Sequence, residues 1–332
     1  MPRLQLLYDL RRAPFSPADH GALFRAMLEQ CAWADRLGFD AVVFGEHHGT
    51  DDGYLPSAAT AAAAAAGRTS QLNLRPMVMA PFRDPLQVAE ELAVLDLASG
   101  GRLTPIILGG YVRSEFETFG VDRKDRPGLL VECVETLKMA WTGEPFQFRG
   151  RTVRVTPRPF QRPRPTLVVG ATSTAGARRA AQIGDEFQAG EPGHWRAYVE
   201  ECERLGRDPG HRERSGPAFL YVTTDPERAW QEIGPYLLHH VQAYGAWSRQ
   251  DLRHESKVFP PANTVEELQH DPAYQVVTPD QCVALSSRWH PDGALLLHPL
   301  LGGLPPELGW ASLELFEHQV LPNLPGNELG NL

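Results

Sequence analysis

The sequence predicts an α/β fold, a (β/α)8 TIM barrel with loop insertions, and three observations carry that expectation. Short apolar runs alternate with segments of helical period along the chain. Eight such runs occur, the number that closes a ring of parallel strands. Several have an unbroken apolar centre, as in "DAVVFG" (40–45) and "TLVVG" (166–170), which is how strands covered on both faces read. A doubly wound open sheet is the competing architecture, but no G-x-G-x-x-G turn follows the first strand. At 332 residues the chain reads as one such domain, 1–332, with a rim insertion at about 245–290.

The elements follow in order. "RLQLLYD" (3–9) is strand-like, and a helical pattern runs from Asp19 to Leu37, stopping at Gly38. After the strand at 40–45, the alanine block 58–66 is a strong helix former ending at Gly67. "LNLRPMVMA" (72–80) is the third strand. Helix 84–101 has Pro near its start and a Gly pair at its end, the expected asymmetry. Strand four is read at 102–110 and, after a loop, a helix at 126–141. Residues 143–165 form a hairpin and a Pro-rich approach to strand five (166–170). Helix 173–184, strand six at 185–190 and a helix near 194–205 complete the next units. Strand seven is 218–224, its helix about 226–244, strand eight 293–300 and the last helix 310–324. Residues 245–290 lose periodicity and are rich in charge, Pro and Trp.

Composition excludes several classes of function. The net charge of −9 offers no basic field to nucleic acid or an anionic membrane. Cys31, Cys133, Cys202 and Cys282 are too scattered for a zinc knuckle or redox pair and read as free thiols of a reducing compartment. The N-terminal stretch carries charges rather than a signal-peptide core, and no 18-residue apolar run occurs. A cytoplasmic protein is expected.

The segment "FDAVVFGEHHGT" (39–50) concentrates the chemistry. Its apolar strand ends in Glu46, His47 and His48, which would leave a barrel at the C-terminal face where catalysis is expected. The imidazoles could hydrogen-bond loop backbone, bind a metal, or exchange protons near neutral pH. Adjacent residues of an extended strand point to opposite faces, which weighs against a shared metal ion.

Four stretches, taken in order and spacing, resemble the bacterial-luciferase-like flavin monooxygenases: "FGEHHG", "MAPFRDPLQVAEELAVLDLASGGR" (79–102), "LGGYVRSEFETFGVD" (108–122) and "RPTLVVGATSTAGARRAA" (164–181). The similarity runs from about residue 3 to 189 and returns at 293–324. The resemblance implies a barrel that binds reduced FMN, activates O2 as a flavin C4a-hydroperoxide and oxygenates a small organic substrate. It also implies a separate flavin reductase and a homodimer. Within it, His47 corresponds to the histidine regarded as catalytic, with Glu46 beside it. The D-x-x-S-G-G-R run, Asp96 to Arg102, is its most specific marker, but it lies at a helix-to-strand turn and is assigned to folding.

Cofactor-binding residues are implied in the same way. Met79, Ala80 and Pro81 would pack under the isoalloxazine, in a turn that often carries a strained or cis peptide in relatives; an ordinary βα turn is the alternative. Gly109 and Gly110 allow close approach, and Tyr111 could lie along the flavin. Gly170, Ala171, Thr172, Ser173 and Thr174 would hold the phosphate at a helix start, where they could equally act as a cap. The sequence departs from luciferase itself at Gly109, where a basic residue is missing, and at Leu108, which replaces a cysteine. That departure weighs against light emission and long-chain aldehydes. Arg113, Arg123 or Arg126 could supply the missing charge. In 245–290, Trp247, His254, Phe259, Tyr274 and Trp289 are candidate pocket walls, with an irregular surface insertion or dimer contact as the alternative. On the same fold, the alternatives are an F420-dependent hydride-transfer oxidoreductase and a non-catalytic flavin-binding subunit.

Overall fold

Aliphatic and β-branched runs become short strands, and the alanine- and leucine-rich segments between them become helices. The computed structural model describes residues 2–212, 214–252, 259–288 and 293–326. Its strands, in chain order, are β1 (Arg3–Tyr8), β2 (Ala41–Phe44), β3 (Asn73–Met79), β4 (Ile106–Leu108), β5 (Phe146–Phe148) and β6 (Arg151–Val153). They continue with β7 (Val168–Ala171), β8 (Glu186–Ala189), β9 (Arg214–Ser215), β10 (Phe219–Val222), β11 (Tyr274–Val277) and β12 (Gly293–Leu297).

The chain divides into two compact units. The first comprises Met1–Val43, Thr50–Leu55 and Glu213–Leu332, the second Phe44–Gly49 and Pro56–Arg212. In the first unit β1 and β12 run parallel, with Leu4 opposite Leu295 and Leu6 opposite Leu297, all four buried. The short β9 adds to the far side of β12. The His20–Arg36 helix starts where the Asp19 carboxylate accepts the Ala22 N–H. The Pro226–Trp247 helix carries Pro235 in its interior and packs Ile233, Leu237 and Val241 into a core with Phe219 and Tyr274.

In the second unit β3, β4, β7 and β8 are parallel neighbours in that order. Parallel pairing requires crossovers, and the helices Pro85–Ser99, Arg126–Ala140 and Thr174–Ile183 supply them. Trp141 is fully buried and donates its indole N–H to the Ala89 carbonyl, joining two of these segments. The D-x-x-S-G-G-R run is structural, as its position predicts. Asp96 accepts from the backbone and side-chain N–H groups of Gln161, at 2.8 and 2.7 Å. Arg102 binds five oxygens: Ser99 O, Thr69 Oγ1, Leu72 O, Ala66 O and Thr69 O. Gly100, at φ 67°, closes the preceding helix in the left-handed region that the glycine supplies.

Three expectations are corrected. Strand four is only Ile106–Leu108, because Pro105 has no N–H to give a ladder; Leu103 makes an isolated bridge to Leu74 instead. The stretch read as a loop before residue 126 contains the helix Arg113–Phe119, too short to show a period and ended by Gly120 at φ 64°. The 245–290 stretch is not irregular throughout. It holds the helices Val265–His270 and Pro279–Ser286 and strand β11, which pairs parallel with β10. A reciprocal cap between Thr278 and Gln281 starts the second helix.

Among the described residues no helix is long and apolar enough to cross a membrane. All four cysteines are free and buried. Burial pushes the Cys133 and Cys282 thiols up to about 12, so they remain protonated and inert.

Candidate active site

Residues Glu46–His48 leave the C-terminal end of β2 and belong, with their partners, to the second unit. Glu46 is buried, and both its oxygens meet backbone: Oε1 accepts the Met79 N–H at 2.9 Å and Oε2 the Ala58 N–H at 3.1 Å. Ala58 opens the alanine helix, and Met79 ends β3. This carboxylate therefore ties two backbone segments together, and its Oε1 also lies 3.5 Å from His48 Nε2.

His47 is 4% exposed, and its Nδ1 lies 2.8 Å from Glu115 Oε1. The same oxygen accepts the His48 backbone N–H at 2.8 Å. Glu115 is itself 1% exposed, and its Oε2 has no hydrogen-bond partner among the described residues. A carboxylate holding one imidazole nitrogen fixes the ring's orientation and leaves proton exchange to Nε2. The Tyr111 ring stands edge-on to His47, with centroids 5.9 Å apart.

His48 faces an aromatic box. Its ring meets Phe119 edge-on at 4.9 Å and Phe82 at 5.6 Å, and Phe82 stacks on Phe119 at 4.8 Å. The two imidazoles thus differ in surroundings: His47 pairs with Glu115, whereas His48 lies among rings with its Nε2 3.5 Å from Glu46 Oε1.

Glu115 was not anticipated from the sequence. It sits in the first turn of the Arg113–Phe119 helix, on the side that also buries Phe116. An acid beside residues that must go inward was the available signal.

Met79 and Ala80 are buried, and Ala80–Phe82 form a 3-10 turn. The turn has no cis bond; among the described residues cis peptides occur at Thr156–Pro157 and Arg162–Pro163. Gly110 has φ 65°, and a Cβ there would touch the Phe116 ring at 3.4 Å. A Cβ on Gly170 would collide with Leu108 Cδ2, so the leucine that departs from luciferase packs on this glycine. Ser173 caps the Thr174–Ile183 helix, its hydroxyl accepting the Gly176 N–H at 3.1 Å. Thr172, Ser173 and Thr174 are exposed at that helix start. Arg113 opens one helix, Arg123 lies in the 3-10 turn Arg123–Asp125, and Arg126 opens the next helix. Burial, then the charges of Arg123 and Arg179, hold the Arg126 guanidinium below its ordinary value.

The pocket walls proposed from 245–290 divide differently. Trp247 and Phe259 belong to a polar cluster of the first unit, and Tyr274 lies in β11 with its hydroxyl donating to the Pro260 carbonyl. His254 and Trp289 lie outside the described residues.

The model of the luciferase-like monooxygenase family matches residues 11–294. The chain belongs to that family. It is 28% identical over 272 residues to the oxygenase component of the flavin-dependent trigonelline monooxygenase of Acinetobacter baylyi, covering 76% of this chain and 73% of that protein. Against other curated relatives the matched stretch spans about half their length. Among solved structures, the oxygenating constituent of 3,6-diketocamphane monooxygenase of Pseudomonas putida, in complex with FMN, superposes with a TM-score of 0.73 at 18% identity, over 98% of this chain and 99% of that one. An F420-dependent secondary alcohol dehydrogenase with an F420–acetone adduct superposes with a TM-score of 0.65 at 17% identity, over 92% and 98%. This family member therefore has a luciferase-like fold built on parallel strands.

Proposed function

We propose that the chain is a monooxygenase that takes reduced FMN from a separate reductase and uses O2 to oxygenate a small organic substrate, as a cytoplasmic homodimer on a closed (β/α)8 barrel. The observation that carries this reading is the buried His47–Glu115 pair, 2.8 Å apart, just beyond the end of β2. Reduced FMN, when bound, supplies the electrons that divide O2 between substrate and water.

The chain's own residues do the rest. Glu115 orients His47 through Nδ1, so that Nε2 gives or takes the proton the reaction needs. Glu46 holds that turn in place through Met79 and Ala58. Met79, Ala80 and Pro81 form an apolar floor that excludes water, Gly109 and Gly110 admit a flat ring closely, and Tyr111 flanks it. Gly170 to Thr174 offer a helix start to a phosphate. Arg126, pressed by Arg123 and Arg179, is a concentration of positive charge that a dianion relieves, which supports a phosphate-bearing cofactor.

A second reading, hydride transfer with F420, draws on the fold shared with the F420-dependent dehydrogenase. The intact His47–Glu115 pair argues against a non-catalytic subunit. The test is an anaerobic titration with reduced FMN and with reduced F420, followed by O2 in the presence of candidate substrates. We expect reduced FMN to bind and O2 uptake to couple to product. His47→Ala should bind reduced FMN nearly as well while product collapses and hydrogen peroxide escapes. Tight F420 binding without O2-dependent product, or unchanged coupling in His47→Ala, overturns the assignment.

A further inference from the structure

We propose that a second recognition site, built around Arg11 in the first unit, takes the carbonyl or hydroxyl oxygen of a neutral, ring-bearing substrate. The proposal rests on the reading that the chain oxygenates a small organic molecule and adds which one it selects.

The site begins where β1 ends. Asp9 and Arg11 flank Leu10, which has φ 52°, a left-handed conformation unusual for leucine and typical of functional turns. His298 directly follows β12, the parallel neighbour of β1. C-terminal strand ends are where α/β folds gather their ligands. The loop residues Asp52 and Tyr54, and His240, Tyr244 and Trp247 of the Pro226–Trp247 helix, complete the cluster.

Arg11 is fully buried, with its guanidinium carbon 4.7, 5.1 and 5.2 Å from the ring centres of Tyr54, Tyr244 and Trp247. Its Nε lies 3.5 Å from Asp9 Oδ2 and its Nη1 3.5 Å from Asp52 Oδ2, distances that pair charges without a hydrogen bond. All three guanidinium nitrogens have no hydrogen-bond partner among the described residues. The same holds for Asp52 Oδ1, His240 Nε2 and both ring nitrogens of His298. His240 Nδ1 sits 3.1 Å from Asp9 Oδ2, and His298 Nε2 3.8 Å from Asp9 Oδ1. Folded interiors rarely leave so many polar atoms unmatched in one place, and functional sites are where the exceptions collect.

The chemistry narrows the ligand. A guanidinium whose faces are covered by rings offers only its N–H edge, which needs an oxygen acceptor. Charge then decides which acceptor. Burial pulls the Asp9 carboxyl upward, but the imidazoles of His298 and His240 hold it below the usual carboxylate range. Asp52 is likewise held low, against burial, by His239 and Arg11. Burial pushes His240 down to about 3, so it is neutral. Two carboxylates therefore face one guanidinium, and His239, 3.0 Å from Asp52, and His298 add positive charge only when protonated. An anion is unwelcome; a neutral carbonyl or hydroxyl is not. No group of three or more His, Cys, Asp or Glu among the described residues is arranged to hold a metal ion. The three rings suit a flat apolar body.

Calorimetric titration of the full chain without flavin tests this with three isosteres: acetophenone, ethylbenzene and benzoate. We expect acetophenone to bind at least about tenfold tighter than ethylbenzene, the worth of one bond from a charged donor, and tighter than benzoate. Arg11→Met, which keeps an unbranched stem and removes every N–H donor, should erase the preference for acetophenone over ethylbenzene. If that variant does not fold, Tyr244→Leu should weaken both ring ligands together. Equal binding of acetophenone and ethylbenzene, tightest binding of benzoate, no binding at all, or a preference retained in folded Arg11→Met overturns the proposal. No flavin or O2 enters these titrations, so their failure is distinct from failure of the monooxygenase reading.

Discussion

Replacing Arg102 by lysine separates folding from chemistry in the family's most specific run. The guanidinium donates from Nε to Ser99 O at 2.7 Å and from Nη1 to Thr69 Oγ1 and Leu72 O at 2.8 and 2.9 Å. From Nη2 it reaches Ala66 O and Thr69 O at 3.2 and 3.0 Å. Lysine has one nitrogen and no fork, so it can keep about two of these bonds. Losing about three, at about 1 kcal/mol each, destabilises the protein by about 3 kcal/mol. For a chain of 332 residues, with an unfolding entropy of about 2.1 cal/mol/K per residue, each kcal/mol lowers the melting temperature by about 1.4 °C, giving a drop of about 4 °C. Urea unfolding should show a lower midpoint with an unchanged slope, and an FMN titration on the same sample should match the parent protein. A drop under about 2 °C would refute the count of bonds. Lost FMN affinity with unaltered melting would move the run from the fold to the cofactor.

Glu115→Ala removes the acceptor for both His47 Nδ1 and the His48 N–H and should cost about 2–4 kcal/mol of stability. It should lower kcat by about ten- to a hundredfold with KM nearly constant, and Glu115→Asp should recover part of it; steady-state product formation decides, and an unchanged kcat refutes the orienting role. Gly170→Ala forces a methyl against Leu108 and should destabilise by about 1–3 kcal/mol in urea, with relief when Leu108→Ala is added. His240 predicts a pH dependence. An unfolded imidazole takes its proton near pH 6.5, whereas the folded one does so at about 3. The unfolded state binds more protons in that window, so this contribution is complete above pH 6.5 and is lost as pH falls toward 3, by up to about 1.4 kcal/mol per pH unit. Melting curves of His240→Asn at neutral pH and at about pH 5 should lie closer together than those of the parent protein.

The strand pattern was legible where a parallel strand is a compact apolar run, as in "DAVVFG" or "TLVVG", which has little else it can become. The site was legible only where chemistry and strand end coincide. His47 stands out because polar residues abruptly end an apolar run. Glu115 does not, since its partner lies 68 residues away and only the fold brings them together. Tyr274–Val277 escaped notice because four residues carry no period, and its parallel partner at Phe219–Val222 is more than fifty positions earlier. Glu46 shows the converse. The sequence marks it as special, but only the fold brings the Met79 and Ala58 backbone amides onto its oxygens. The Arg11 cluster was invisible for the same reason as Glu115: its members come from four separate stretches of chain.

Glu46 has a consequence for how such proteins change over time. A descendant that gave up its reaction could replace His47 by another donor to Glu115, yet it would still need a side chain of glutamate's length to bridge Met79 and Ala58. Inheritance of the acid without the imidazole would then mark a retired catalyst that still folds.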